Sequence, residues 1–492
     1  MQSEGLTSLG QRARSGLGWS LLNNVITRLG TLLTGLVLAR LLTPADYGVY
    51  AVALVVLMVL LSLNEMGVSL AIVRWEGEVR AIAPTVMTIA IATSTTLYAA
   101  CWFLAPLIAS GMGAPAAVPV LRVLCLSVVI DGIVCVPAGL LTREFAQGRR
   151  LIADAANFGL GTVVTLALAA TGSGAMSLAW GRLAGNLLAL VMIARLAPYL
   201  PRPGFDRAVA ASLVRYGLPL AGSSLLVLSM LNVDYVIVGS MLGPTALGLY
   251  LLAFNLSSWP VNAFSEAARR VSFAGFSRLV EQGRERLAAG FTHSLALLMA
   301  ATLPVCALLV LFAEPLVVVL YGEKWREAAQ ALTLLAGLGA IRVALELAYD
   351  CLVAADRARV VIGLQGLWLA VLIPTLALGA ARGGLRGVGA AHVLVASLIM
   401  LPAFLHALRP LGITGRQLLA SNVRSLLGIC VMVPVGLLWV SLLEEGPLLV
   451  VVGGISCLLV YVPIVLPLRH LIPPRNGASG QPEPQLPAPA GA

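Results

Sequence analysis

Long apolar runs, broken by short polar stretches, recur along almost the whole chain. A helix crosses about 30 Å of hydrocarbon in about 20 residues, at a rise of about 1.5 Å per residue. Windows of that kind fall at residues 17–39, 48–72, 84–109, 118–142, 150–171, 174–196, 213–241, 245–268, 288–313, 328–352, 358–380, 386–408, 422–443 and 447–468. The pattern predicts an all-α polytopic membrane protein with about fourteen transmembrane helices. Hydrophobic residues make up 59% of the 492-residue chain and charged ones 11%, against about 25% charged in soluble domains. A soluble fold is excluded.

Lys and Arg collect on cytoplasmic loops of membrane proteins, so their distribution tests the span count. With the N-terminus inside, 23 of the 32 basic residues fall on cytoplasmic segments, and only Arg40, Lys324, Arg326, Arg382 and Arg386 fall on the opposite loops. The asymmetry predicts an even number of spans, both termini cytoplasmic and one charge-poor, extracytoplasmic face. It also accounts for the net charge of +10 without nucleic acid as a partner. Arg12 and Arg14 lead into a long span with no small-residue cleavage site, so the first helix is expected to stay. The tail 473–492 is rich in Pro, Gly, Ala and Gln with no apolar period and is expected to be disordered.

Several chemistries are excluded. The single lysine, Lys324, sits in Gly322-Glu323-Lys324-Trp325, so no phosphate loop with its Gly-Lys-Ser/Thr end is present. Seven cysteines and four histidines lie without metal-ligand spacing. The cysteines are expected to pack as small hydrophobes, and His293, His392, His406 and His470 to be structural or interfacial. No cofactor is expected. A membrane glycosyltransferase or ligase would be expected to carry carboxylates or His on a sizeable outer loop. The longest predicted outer loop, 314–327, holds only Glu314, Glu323, Lys324, Arg326 and Glu327.

A nine-residue element occurs twice, 200 positions apart. Leu42-x-Pro44-x-x-x-Gly48-x-Tyr50 recurs as Leu242-x-Pro244-x-x-x-Gly248-x-Tyr250, and Ala53 and Ala253 extend the match. Pro ends one helix and begins the next, and Gly allows close helix approach. Six spans separate the copies, an even number, so duplication predicts two parallel six-helix lobes. Residues 1–16 form the cytoplasmic N-terminus, 17–196 the N-lobe, 197–212 a linker, 213–408 the C-lobe and 422–468 two appended helices. Each copy is expected to be the outer, hinge-side turn of its lobe, with the site deeper, near Arg28 and Asp234.

Three stretches carry a family resemblance: Leu38-Ala39-Arg40-Leu41-Leu42-Thr43-Pro44-Ala45-Asp46-Tyr47-Gly48-Val49-Tyr50, then Asn232-Val233-Asp234-Tyr235-Val236-Ile237-Val238-Gly239 with Leu242-Gly243-Pro244 and Gly248-Leu249-Tyr250, then Tyr321-Gly322-Glu323-Lys324-Trp325. Over about residues 14–470 the chain resembles polysaccharide flippases of the Wzx type, within the multidrug/oligosaccharidyl-lipid/polysaccharide exporter superfamily. The resemblance implies a bacterial inner-membrane transporter that moves a polyprenyl-diphosphate-linked oligosaccharide to the outer leaflet by alternating access, driven by an ion gradient. Its implied partners are that lipid-linked substrate, membrane lipids, a polysaccharide polymerase and glycosyltransferases. A cation or drug antiporter of the same superfamily and a lipid II flippase remain as alternatives.

Ionisable groups inside spans need a partner or a watery cavity, which gives the candidate residues. Arg28, with Asn24 one turn before it, lies near mid-bilayer, and a planar guanidinium suits a diphosphate. An ion pair of Arg28 with Glu65 or Asp234 is the competing reading. Arg182 with Asn186 forms a second candidate for the diphosphate. Arg269 and Arg270 form an entrance patch toward anionic headgroups, at the start of an amphipathic interfacial linker helix spanning about 269–287. Asp234, Glu65, Asp131 and Glu266 are the carboxylates available for ion coupling, Asp234 first, with a structural hydrogen bond from Asp234 to a neighbouring helix as the competing reading. Arg342, Glu346 and Asp350 share one helix face at i, i+4 and i+8, which predicts a structural Arg342–Glu346 pair.

Overall fold

The computed structural model describes residues 30–65, 72, 78–144 and 146–471; for 65, 147, 214, 216–231, 263–274 and 469–471 it describes only the backbone path. The amino-terminal segment with Arg28 and Asn24, and the predicted tail, lie outside the described residues. The described chain is helical throughout, with no strand. Its helices are α1 (Gly30–Leu41), α2 (Pro44–Glu65), α3 (Val79–Gly111), α4 (Ala117–Arg143), α5 (Gln147–Ala170), α6 (Ala175–Leu196), α7 (Arg207–Glu281), α8 (Arg284–Leu311), α9 (Ala313–Tyr321), α10 (Ala328–Ala354), α11 (Ala358–Leu394), α12 (Leu401–Leu408), α13 (Gly415–Leu442) and α14 (Pro447–Val465).

Among the described residues, eleven stretches are long and apolar enough to cross a membrane, and two of them hold a break. Gly243 (φ 84°) interrupts α7 and Gly384 (φ 53°) interrupts α11, both in backbone conformations that glycine adopts without a Cβ penalty. Each break divides its run into two arms, where the sequence predicts separate spans at 213–241 and 245–268 and at 358–380 and 386–408. With α1 as the described part of the first span, the arrangement is consistent with fourteen crossings.

Local signals set the ends. Pro44 opens α2 as its first residue, where a missing N–H costs nothing. Ahead of it, the Asp46 carboxylate accepts from the Thr43 backbone N–H at 2.9 Å and from its hydroxyl at 2.6 Å. Asp206 accepts from the N–H groups of Ala208 and Val209 at the start of α7, and Thr414 with Gln417 forms a capping box on α13. Gly181 and Gly185 on α6 let it press against α5; a Cβ at Gly181 would lie 2.8 Å from the Gly161 carbonyl oxygen, the close approach small residues permit between membrane helices.

One sequence expectation changes. Residues 314–327 are not an open loop: Ala313–Tyr321 is helical, with Pro315 and Val317 buried, because its apolar run packs beside α10. The linker after the eighth predicted span, expected as an amphipathic helix, is helical as far as Glu281, where it continues α7. A π-helical segment, Val395–Met400, joins α11 to α12.

Candidate functional site

The buried polar chemistry of the carboxy-terminal half gathers at one point. Asp234, on the arm of α7 before Gly243, is 3% exposed. Tyr250, on the arm after it, is fully buried and donates from Oη to Asp234 Oδ2 at 2.8 Å. His392 of α11 reaches the same hydroxyl, with Nε2 3.0 Å from Tyr250 Oη and 3.8 Å from Asp234 Oδ2. The other carboxylate oxygen, Oδ1, accepts from the Tyr235 backbone N–H at 3.0 Å.

Aromatic rings hold this cluster in register. Tyr235, Tyr250 and Phe254 contact one another pairwise, with ring centroids 5.7–5.9 Å apart. Arg342 of α10 lies over Phe254, its Cζ 5.4 Å from the ring centroid, and donates to Ser258 Oγ at 3.2 Å. Its charge acts on both Asp234 and His392. The arrangement can bind and release a proton between a carboxylate and an imidazole bridged by one hydroxyl, beside a fixed positive charge. The π-helical segment begins three residues after His392, and such segments recur at functional sites.

The second site feature joins the two halves at the charge-poor face. A Cβ added to Gly48 would lie 1.6 Å from the Pro244 carbonyl oxygen, and one added to Gly248 would lie 1.9 Å from that of Pro44. The two copies of the repeated element therefore rest on each other, glycine against proline carbonyl in both directions. A second exchange runs beside it. Arg40, at the end of α1, donates to the Leu320 and Val319 carbonyls at the end of α9. In return, Lys324 Nζ donates to the Arg40 carbonyl at 2.9 Å and buried Trp325 Nε1 to the Ala39 carbonyl at 2.8 Å. Each cation thus meets the negative end of the other half's helix. Tyr47 packs edge-on against Trp325 at 5.0 Å.

Arg326 closes the loop by pairing with Glu314, Glu323 and Glu445. Its hydrogen bond holds the Glu323 carboxyl below the usual glutamate range, and burial lowers the Lys324 ammonium while Asp46 opposes the shift.

Other predicted residues are distributed as follows. Asp131 of α4 accepts from Asn64 Nδ2 of α2 at 2.9 Å, a carboxylate–amide pair in the amino-terminal half. Arg182 is exposed on α6, and Asn186 accepts from Asn157 Nδ2 at 3.3 Å. The side chains of Glu65, Glu266, Arg269 and Arg270 lie outside the described residues. The predicted Arg342–Glu346 pair does not form, because Ser258 and the Phe254 face take the guanidinium; Asp350 is buried on the same helix. His392, read from sequence as structural or interfacial, belongs to the Asp234 cluster; its partners lie far away in sequence, and the π-helical segment that marks it is visible only in the fold. The repeated turns, expected on the hinge side of each half, meet each other instead.

Comparison with known proteins agrees with this arrangement. Residues 37–330 match a family described as "Polysaccharide biosynthesis protein". The chain is 27% identical over 320 residues to the "Succinoglycan biosynthesis transport protein ExoT" of Rhizobium meliloti (strain 1021), a match that spans 65% of either chain. It is 24% identical over 422 residues to the "Lipopolysaccharide biosynthesis protein WzxC" of Escherichia coli (strain K12), covering 84% of this chain and 85% of that one. Among solved structures, "Lipid II flippase MurJ, inward closed conformation" superposes with a TM-score of 0.76 at 13% identity, over 92% of this chain and 99% of that one. An inward-facing multidrug resistance MATE family transporter of the MOP superfamily gives 0.62 at 20%, over 78% and 94%. At those identities the likeness is one of fold.

Proposed function

Because the chain belongs to the polysaccharide biosynthesis protein family, we propose that it flips a polyprenyl-diphosphate-linked oligosaccharide from the inner to the outer leaflet of a bacterial plasma membrane. The product would feed exopolysaccharide, capsule or O-antigen-type assembly. The observation that carries the reading is the reciprocal contact of Gly48 with Pro244 and Gly248 with Pro44. Two related halves closed together at one face must part there to release a cargo on that side, which is alternating access. The closed face is poor in basic residues, so it is taken as extracytoplasmic, with both termini in the cytoplasm.

In this reading residues 17–196 and 213–408 act as two lobes, 197–212 links them, and 422–468 are appended. The protein is a transporter rather than an enzyme, and an ion gradient supplies the energy. Asp234 is the first candidate for the coupling group, with Asp131, Glu65 and Glu266 behind it. Arg28 with Asn24, and Arg182 with Asn186, are the groups assigned to the diphosphate. Arg269 and Arg270 draw the anionic headgroup in, while glycosyltransferases supply the unit and a polymerase consumes it.

The test is a deletion strain and the purified protein in vesicles. Deletion should leave lipid-linked sugar units in the inner leaflet, and the vesicles should flip a fluorescent lipid-linked oligosaccharide. Normal arrival of those units at the outer leaflet, in a strain with no second flippase, would overturn the reading. Accumulated peptidoglycan precursor would point to lipid II instead, and sensitivity to toxic cations alone to an antiporter. Arg28→Ala should abolish export with insertion intact; full export would assign Arg28 to structure.

A further inference from the structure

The arm of α7 after Gly243 touches two things at once. Gly248 sits against the Pro44 carbonyl of the other half. Tyr250 follows two residues later, about 200° around a helix that turns about 100° per residue, and so faces away from that contact. Its ring is enclosed by Tyr235 and Phe254, and its hydroxyl lies within hydrogen-bond distance of both Asp234 and His392. One short stretch of helix thus has the contact between the halves on one side and a buried acid–imidazole pair on the other.

We propose that Asp234 and His392 form a proton-binding pair, and that Tyr250 is the positioning residue that transmits its protonation to the Gly248–Pro44 contact. The proposal rests on the reading of the chain as a gradient-driven flippase and names its ion.

The chemistry of the cluster favours a proton over a metal ion. Among the described residues, the groups that face Asp234 are Tyr250 and Tyr235 from its own helix run, Arg342 from α10 and His392 from α11. A hard cation takes a shell of several oxygen ligands. Among the described residues, one carboxylate and one phenol oxygen are on offer here, beside an imidazole nitrogen and a guanidinium that repels added positive charge. A proton needs a single lone pair.

The hydroxyl can serve either direction, since it both donates and accepts. With Asp234 ionised, Tyr250 donates to Oδ2 and accepts from His392 Nε2–H. A hydronium ion from solvent gives one proton to Asp234 Oδ2: its own O–H bond breaks to leave water, a new O–H bond forms on the carboxylate, and the negative charge is removed. The charge-assisted bond from Tyr250, the stronger kind, then becomes a neutral one, and no other bond need break. Tyr250 is less firmly held, and with it the helix that carries Gly248. Acid therefore favours parting of the halves at the charge-poor face.

The contact has its own readout. Spin labels on Ser173→Cys, in the exposed turn between α5 and α6, and on Ala381→Cys, exposed on α11 just before its break at Gly384, would be measured in lipid nanodiscs with the native cysteines replaced. Between about pH 8 and about pH 5 the wild-type distances should lengthen. The open-to-closed ratio should change at least about fivefold, the low end of ordinary coupling between sites. Tyr250→Phe keeps the ring and removes the bridge, and it should lose that response. Asp234→Asn should hold the acid-like distances at every pH. If Tyr250→Phe responds as the wild type does, or the wild type responds to sodium and not to pH, the proposal is overturned. Flipping of lipid-linked sugar is scored separately. A pH response without flipping would overturn the substrate reading and leave the switch standing, whereas flipping with a pH-independent contact would do the reverse.

Discussion

At the scale of single residues, what the sequence made legible depends on how far away the partner lies. Asp234 is visible as a carboxylate inside an apolar run, because such a group needs a reason to be there. His392 is one of four scattered histidines, and its partner Tyr250 stands 142 residues away, so no local pattern marks it. Arg342 shows the opposite error. Spacing of i, i+4 permits a pair with Glu346 but does not compel one, and the Ser258 hydroxyl and Phe254 face win the guanidinium. The two readings predict different variants. Arg342→Gln should lower the unfolding free energy of the detergent-solubilised protein by about 1–3 kcal/mol, the range for a hydrogen bond to a charged group plus a cation–π contact. Glu346→Gln should stay within about 0.5 kcal/mol of wild type, as substitutions away from such contacts do. Thermal unfolding followed by a buried-thiol dye separates them: equal losses in both would restore the ion pair.

At the scale of elements, the apolar windows locate the spans and the Pro and Gly residues locate the breaks, since membrane helices must satisfy their own backbone. The helix Ala313–Tyr321 was not legible, because nine residues are too few to span and its charged flanks read as loop. What makes it an element is tertiary: its carbonyl end receives Arg40, and the loop after it returns Lys324 and Trp325 to α1. Trp325→Phe should cost about 1 kcal/mol, one hydrogen bond, while Trp325→Ala should cost about 3–5 kcal/mol by emptying a buried site. The unfolding midpoint checks both. The repeated glycines act at the same place. Gly48→Ala or Gly248→Ala puts a methyl group into a proline carbonyl of the other half, so each should lengthen label distances across the charge-poor face, whereas Gly35→Ala, with open space around it, should not. Acid does not reach this contact through Glu323. A depressed carboxylate stabilises above its ordinary value and loses that contribution only as pH falls through the lower, folded one, so its bond to Arg326 outlasts the mild acid that would act on the buried cluster.

At the scale of the molecule, the duplication is symmetric in packing and asymmetric in chemistry. Gly48 and Gly248 make the same contact in opposite directions, yet among the described residues only the second copy's tyrosine is hydrogen-bonded to titratable groups. Thr34 stands 200 positions before Asp234 and offers no carboxylate. Tyr50, the counterpart of Tyr250, is half-buried, and among the described residues its hydroxyl makes no hydrogen bond. The sequence showed the repeat but not this difference, because the identity of Tyr50 and Tyr250 hides what each hydroxyl meets. If the first copy supplies only shape and the second also senses charge, the two tyrosines must respond differently to one substitution. Tyr50→Phe should leave the stability within about 0.5 kcal/mol and transport unchanged. Tyr250→Phe, which strips a bond from a buried carboxylate, should cost about 1–3 kcal/mol and uncouple flipping from the imposed gradient. Parallel flipping assays on the two variants in vesicles with and without a pH gradient make the comparison, and equal effects would mean that both halves share the coupling.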